Sequence, residues 1–186
     1  MLTTRENIIK AAIELFSTRS YSDVSIDDIA SRAKVSKGAV FHYFSSKIDL
    51  AEAVMKHILK TIENRLEEIF SSNLDNREKL GKFIDLALDF VELKKNSLKS
   101  LDFVSEICKK LVENNRYGFV EDFYIKIESR ISNILKETDV MKTNVRAALF
   151  MIILNGLIHY TFFYPKPLRR EFVEELKNEV VEVMLK

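Results

Sequence analysis

Between Val24 and Leu50 the chain reads VSIDDIASRAKVSKGAVFHYFSSKIDL, and no other stretch constrains the fold as much. Two short helical patterns lie back to back in it, each opened by a hydroxyl residue. Ser25 precedes the apolar positions Ile26, Ile29, Ala30 and Ala33. With Asp28 three residues on, it forms a capping box, in which the two side chains satisfy orphan backbone N–H groups reciprocally. Ser36 caps a second helix over Lys37 to Phe41, with Val35 and Val40 placed to pack back on the first. Only Lys34 to Ser36 separate the two patterns, which is the spacing of a helix-turn-helix. Ala30 supplies the small side chain that a steep helix crossing needs. The second helix is too short and too polar to be core, so its outer face is free to read a ligand.

The charges of this stretch suit an anionic ligand. The chain is 31% charged, yet Ile29 through Ile48 contains no Asp or Glu, while Arg32, Lys34, Lys37 and Lys47 lie inside that window. Carboxylates there would repel DNA and these cations would attract it. The formal net charge is only +1, so a basic surface has to be local. Lys37, Gly38 and Ala39 open the second helix and are the residues expected to enter the major groove. Lys37 can donate to guanine O6 and N7, and Gly38 lets the backbone come close. The plainer alternative is that Ser25 and Ser36 are only caps and Lys47 a solvated charge. Caps can do both, because helix N-termini bind phosphate.

Arg5, Ile8, Ile9, Ala12, Leu15, Phe16, Tyr21, Ser25, Ile29, Ala30, Ala33, Val35 to Gly38, Tyr43, Phe44, Lys47 and Leu50 together resemble the N-terminal domain of the TetR family of transcriptional regulators. The resemblance covers roughly the first quarter of the chain. It implies phosphate contacts from Ser25, Ser36, His42, Tyr43 and Lys47. It also implies a cytoplasmic homodimeric repressor on a palindromic double-stranded DNA operator, released by a small ligand bound in a larger C-terminal domain. Three positions depart from the family pattern. Ser20 and Lys34 stand where Gly is usual, and Phe41 where Tyr is frequent. A left-handed backbone at Ser20 or Lys34 would cost about 1–2 kcal/mol.

The rest of the chain predicts an all-α fold. Helix formers dominate, with four Gly and two Pro as breakers. Thr4 to Thr18 is an amphipathic helix that completes a three-helix DNA-binding domain over 1–47. Ser46 and Asp49 open a long helix to about Ser71, striped by Leu50, Val54, Ile58, Ile62, Leu66 and Ile69. It joins that domain, without a flexible linker, to a helical ligand-binding and dimerisation domain over 48–186. Further helices are expected from Asp75 to Val91, Leu98 to Glu113 and Val120 to Ile134, with breaks at Lys94 to Ser97, Asn114 to Gly118 and Thr138 to Lys142. One more opens at Thr143 or Asn144. A single cysteine, Cys108, excludes an internal disulfide and suits a reducing cytoplasm. The first residues do not read as a signal peptide.

Ala147 to Tyr164 carries no Asp, Glu, Lys or Arg over eighteen residues, long enough for a membrane span. A helix buried all round explains the same pattern, and Asn155, Gly156, His159 and Thr161 in its second half favour burial. A membrane-anchored or scaffold protein with an incidental helix-turn-helix is therefore the alternative reading. Pro165 and Pro167 end this helix. In the last one, Val173, Leu176, Val180 and Val183 make a heptad-like seam, so the last two helices are expected to pair two copies. Phe90, Phe103, Phe123 and Phe150 are candidate lining for an apolar effector, an acyl chain or an aromatic compound. Asn155 and His159, one turn apart, are placed to orient its polar end or to bond across the dimer. No metal spacing, cofactor loop or catalytic constellation stands out, so neither cofactor nor enzyme activity is expected.

Overall fold

The structure, a computed structural model, describes residues 2–92, 99–136, 140–163 and 169–186, the side chains of 90–92, 99–103, 140, 161–163 and 170 apart. The described residues form helices α1 (Thr4–Phe16), α2 (Ile26–Ala33), α3 (Lys37–Tyr43), α4 (Lys47–Ser71), α5 (Asn76–Glu92), α6 (Lys99–Glu113), α7 (Gly118–Leu135), α8 (Val140–Phe163) and α9 (Arg170–Leu185). The breaks expected at Lys94 to Ser97 and at Pro165 to Pro167 lie outside the described residues. Two compact units result, residues 1–62 with 96–121 and residues 63–95 with 122–186.

In the first unit, each helix start follows the capping chemistry of the sequence. Thr3 and Glu6 close a capping box on α1, whose Ile8, Ile9, Ala11, Ala12 and Phe16 are buried. Ser25 and Asp28 close another on α2. Lys34 ends α2 in the left-handed region, at φ 55° and ψ 44°. Around it the Val35 N–H donates to the Ala30 carbonyl and the Lys34 N–H to that of Ser31, the two bonds of a Schellman motif. Asn7 adds a bond from its Nδ2 to the Ala33 carbonyl at 2.8 Å, tying α1 to the same turn. Of the two departures from glycine, then, only Lys34 is left-handed; Ser20 is not among the positive-φ residues.

α3 runs two residues beyond the expected end. It stops where Phe44 turns extended and drops into the core, with the Arg5 guanidinium 5.3 Å above its ring. The core of this unit comprises buried residues of α1, α2 and α3, with Leu50, Ala51, Val54 and Met55 of α4. It also includes Ile107 and Leu111 of α6. The expected division at 47/48 and the compact units therefore differ. α4 contributes residues 47–62 to the first unit and 63–71 to the second, and α6 belongs with the helix-turn-helix. The apolar stripe of α6 showed that it has a buried face but not which helix covers it.

In the second unit α5 packs on both α8 and α9. Phe150 is fully buried with its ring 5.6 Å from Phe83, which in turn meets Phe70 edge-on at 5.9 Å. Asn76 Nδ2 donates to the Ile134 carbonyl, Arg130 to Glu67 and Lys177 to Asp85. Arg146 donates to the Met184 carbonyl at 2.5 Å, placing a cation at the C-terminal end of α9. Of the break expected at Thr138 to Lys142, Thr138 and Asp139 lie outside the described residues and Val140 to Lys142 are helical in α8, ahead of the expected Thr143, which is buried within it.

α8 carries no charged residue from Ala147 onward but is covered on one side. Ala147, Phe150, Met151, Leu154 and Leu157 are buried, while Met141, Val145, Leu149, Ile152 and Tyr160 are exposed. Residues Met141–Tyr160 are long and apolar enough to cross a membrane. About 33% of that stretch is buried, and α5 and α9 pack on the covered face. On α9 the buried residues are Val181 and Met184, not the heptad seam. Val173, Leu176 and Val180 are half-buried and Val183 is exposed. An open groove of about 320 Å³ runs between α8 and α9, lined by Ile153, Gly156, Leu157, Tyr160, Phe172, Leu176 and Val180.

Candidate nucleic-acid interface

α3 is held to the protein by very little of its own surface. Val40 is its one buried residue, and Lys37, Gly38, Phe41, His42 and Tyr43 are exposed. Ser36 Oγ accepts from the Ala39 N–H at 3.0 Å and fixes the helix start, leaving Ala39 half-buried. His42 and Tyr43 meet edge-on, with ring centroids 5.0 Å apart. A Cβ built on Gly38 would meet only Ser36 Oγ, at an ordinary 3.8 Å. The free protein therefore has room for a larger residue at that position, and nothing in the fold demands glycine there.

Ser25 is engaged in its cap. Its N–H and Oγ donate to Asp28 Oδ2 at 2.8 and 2.7 Å, and its Oγ accepts from the Asp28 N–H at 3.0 Å. Those Ser25 bonds hold the Asp28 carboxyl below the ordinary aspartate value. The Ser25 hydroxyl proton is thus directed to Asp28, and a phosphate would have to share it.

The acid-free window of the sequence is not acid-free in space. Glu14 of α1 accepts from Arg32 at 2.6 and 2.5 Å. Asp27 of α2 accepts from Lys37 Nζ at 2.8 Å. Lys47 is half-buried rather than solvated, with its ammonium 4.2 Å above the Tyr21 ring and 3.4 Å from the Ser22 carbonyl. Burial pushes its pKa down, against the raising influence of Glu106 and Asp23. The turn that carries Tyr21 and Ser22 is fastened from α6: Glu106 accepts from the Tyr21 N–H at 3.0 Å and from Ser22 Oγ at 2.6 Å. Asp27, Glu14 and Glu106 escaped the sequence reading because each reaches its partner across 10, 18 and about 85 residues, outside any local window.

Among the described side chains, Phe123, Phe150, Asn155 and His159 do not share one lining. Phe150 is sealed in the aromatic core of the second unit, and Phe123 is half-buried on α7 against Tyr124. Asn155 and His159 lie on the exposed side of α8, where Asn155 Nδ2 donates to the Met151 carbonyl at 2.9 Å. The cause is helical geometry. At about 100° per residue, positions 155 and 159 lie outside the arc that carries the buried positions 147, 150, 151, 154 and 157, so a polar end there faces outward. The side chains of Phe90 and Phe103 lie outside the described residues, and Phe103 belongs to the first unit. No group of three or more His, Cys, Asp or Glu side chains suited to a metal occurs among the described residues.

Residues 8–54 match the family described as bacterial regulatory proteins, tetR family. The chain is 33% identical over 88 residues to the transcriptional activator FasR of Mycolicibacterium smegmatis, a match spanning 47% of this chain and 40% of that protein. It is 31% identical over 134 residues to the TetC protein of transposon Tn10 in Escherichia coli, spanning 61% of this chain and 68% of that one. The chain spans only about half the length of several such relatives. In three dimensions it is similar to a TetR transcriptional regulator of Legionella pneumophila, with a TM-score of 0.77 at 22% identity over 100% of this chain and 99% of the other. That likeness is one of fold.

Proposed function

The chain belongs to the TetR family of bacterial regulatory proteins, and from that premise we propose that it is a cytoplasmic, homodimeric transcriptional repressor that binds a palindromic operator and leaves it when a small, largely apolar effector binds. The observation that carries the DNA reading is α3 itself, a capped helix with one buried residue and five exposed ones. Lys37, Gly38 and Ala39 enter the major groove in this reading, with Ser25, Ser36, His42, Tyr43 and Lys47 at the phosphates. The exposed apolar side of α8 and the half-buried seam of α9 support dimerisation through the last two helices, since an apolar face of that length is unusual on a monomer. A two-fold axis would then set the two α3 helices against successive major grooves, about 34–36 Å apart in many such dimers.

The effector reading is linkage. α4 and α6 both contribute side chains to the core shared by α1, α2 and α3, so a ligand that favours another placement of either helix disfavours the operator-bound arrangement. Acyl chains and aromatic compounds are the first candidates, entering among the aromatic side chains of the second unit. A mobility-shift assay on DNA upstream of the protein's own gene, with a reporter fused to that DNA, tests the reading. Binding with derepression on loss of the protein is expected. Absence of binding to any duplex at low salt would sink it, and a reporter that falls on loss of the protein would make it an activator. Compounds that raise thermal stability yet leave DNA affinity unchanged would refute the coupling alone.

A further inference from the structure

We propose that Asp27 and Lys37 act as one reader, a carboxylate and an ammonium held side by side so as to recognise both halves of a single G·C base pair. This rests on the reading above that α3 enters the major groove. Asp27 has no capping duty in α2, since Ser25 and Asp28 close that box. Both side chains are mostly exposed, at 66% and 55%, yet Nζ and Oδ2 lie 2.8 Å apart. Any groove atom that Lys37 reaches therefore lies close to a carboxylate as well.

The major-groove edge of a G·C pair offers a matching arrangement. Guanine O6 is an acceptor, and beside it the cytosine N4 amine keeps one hydrogen directed into the groove. The two atoms are partners in a base-pair hydrogen bond, about 2.9 Å apart, close to the spacing of the ion pair. Lys37 donates to guanine O6 or N7 while Asp27 accepts from cytosine N4, and the ion pair survives in the complex. A carboxylate accepts only, so thymine O4 or guanine O6 and N7 facing Asp27 are repelled. Adenine, with its N6 amine, is the tolerated second choice.

This differs from two simpler roles in the sign of its effects. A carboxylate that only competes with DNA for Lys37 would, on removal, strengthen binding to every sequence. One that only supports α2 would, on removal, weaken binding to every sequence. A reader does neither: Asp27→Ala should strengthen binding to arbitrary DNA, because a negative charge leaves the face, and weaken binding to the matched site.

The test uses the full chain. Duplexes are selected from a random library with the wild-type protein, and affinities are then measured for the selected site, for the same site with its G·C pair reversed or replaced, and for mixed-sequence DNA. An invariant G·C pair in each half-site is expected. Asp27→Ala should bind the selected site about fivefold more weakly or worse, bind mixed-sequence DNA about two- to fivefold more tightly, and lose its preference at that pair. Asp27→Asn keeps an acceptor oxygen and should retain part of the preference. Glu14→Ala removes the same charge from beside Arg32 and should shift all duplexes in one direction. Changes of one sign on every duplex with Asp27→Ala, no change, or selected sites lacking the G·C pair would each overturn the proposal. Failure of the wild-type protein to select or bind any duplex would instead remove the DNA reading on which it rests.

Discussion

Lys34 holds a left-handed backbone that its side chain does nothing evident to justify. Its φ of 55° and ψ of 44° close the Schellman motif at the end of α2, and the residue is exposed. For an L-residue with a Cβ this conformation costs about 1–2 kcal/mol. Glycine avoids the clash but has more entropy to lose on folding, about 0.5–1 kcal/mol. Lys34→Gly should therefore stabilise the protein by about 0.5–1 kcal/mol relative to Lys34→Ala, which removes the same charge and keeps the Cβ. With a urea slope of about 2 kcal/mol per molar, the midpoint should move by about 0.3–0.5 M. Both variants must be unfolded at one protein concentration, since subunit association shifts apparent stability. Ser20→Gly is the internal control. Its backbone is not left-handed, so the glycine should destabilise by about 0.4–1 kcal/mol. Equal stability of the Lys34→Ala and Lys34→Gly variants would refute the stored strain.

Gly38→Ala should fold at least as well as the wild type, because the added Cβ meets nothing closer than 3.8 Å, yet bind DNA more weakly if backbone approach is the reason for glycine; unchanged affinity in a mobility shift would refute that. Lys47→Ala should weaken binding to all sequences alike and flatten the dependence of log affinity on log salt by about 0.9; a loss confined to one sequence would make Lys47 a base reader. Leu176→Glu places a charge in the groove between α8 and α9 and should give monomers or aggregates by light scattering, so a stable dimer would move the interface elsewhere. The Asp28 carboxyl is held below its ordinary 3.8 by Ser25, and that of Glu6 below its ordinary 4.5 by Thr3. Depressed folded values mean that the stabilisation is complete above those ordinary values and is lost as pH falls below them through the folded ones. Asp28→Asn should therefore flatten the acid limb of a stability–pH curve, and an unaltered limb would show that this cap does not titrate as argued.

The helix-turn-helix was legible in the sequence because its determinants are local. Ser25 with Asp28, Ser36 before α3, the small Ala30 and the three-residue turn each act within about a helical turn, and each appears in the structure as the spacing requires. The all-helical architecture followed from composition and periodicity in the same way. Which glycine substitution is strained was not legible. Ser20 and Lys34 both occupy positions that can be left-handed, and the tight return from α2 to α3 selects only Lys34. The sequence likewise showed cations free of nearby acids, while folding brought Asp27 to Lys37 and Glu14 to Arg32. Periodicity marked a buried face on α6, but only packing put Ile107 and Leu111 into the core shared with α1, α2 and α3. From Ala147 onward α8 carries no charged residue, so the pattern held little preference; α5 and α9 decided which side is core, and that choice left Asn155 and His159 on the outside. Sequence specifies what each residue does to its neighbours along the chain, whereas charge pairing and burial between distant segments depend on positions that only the folded chain defines.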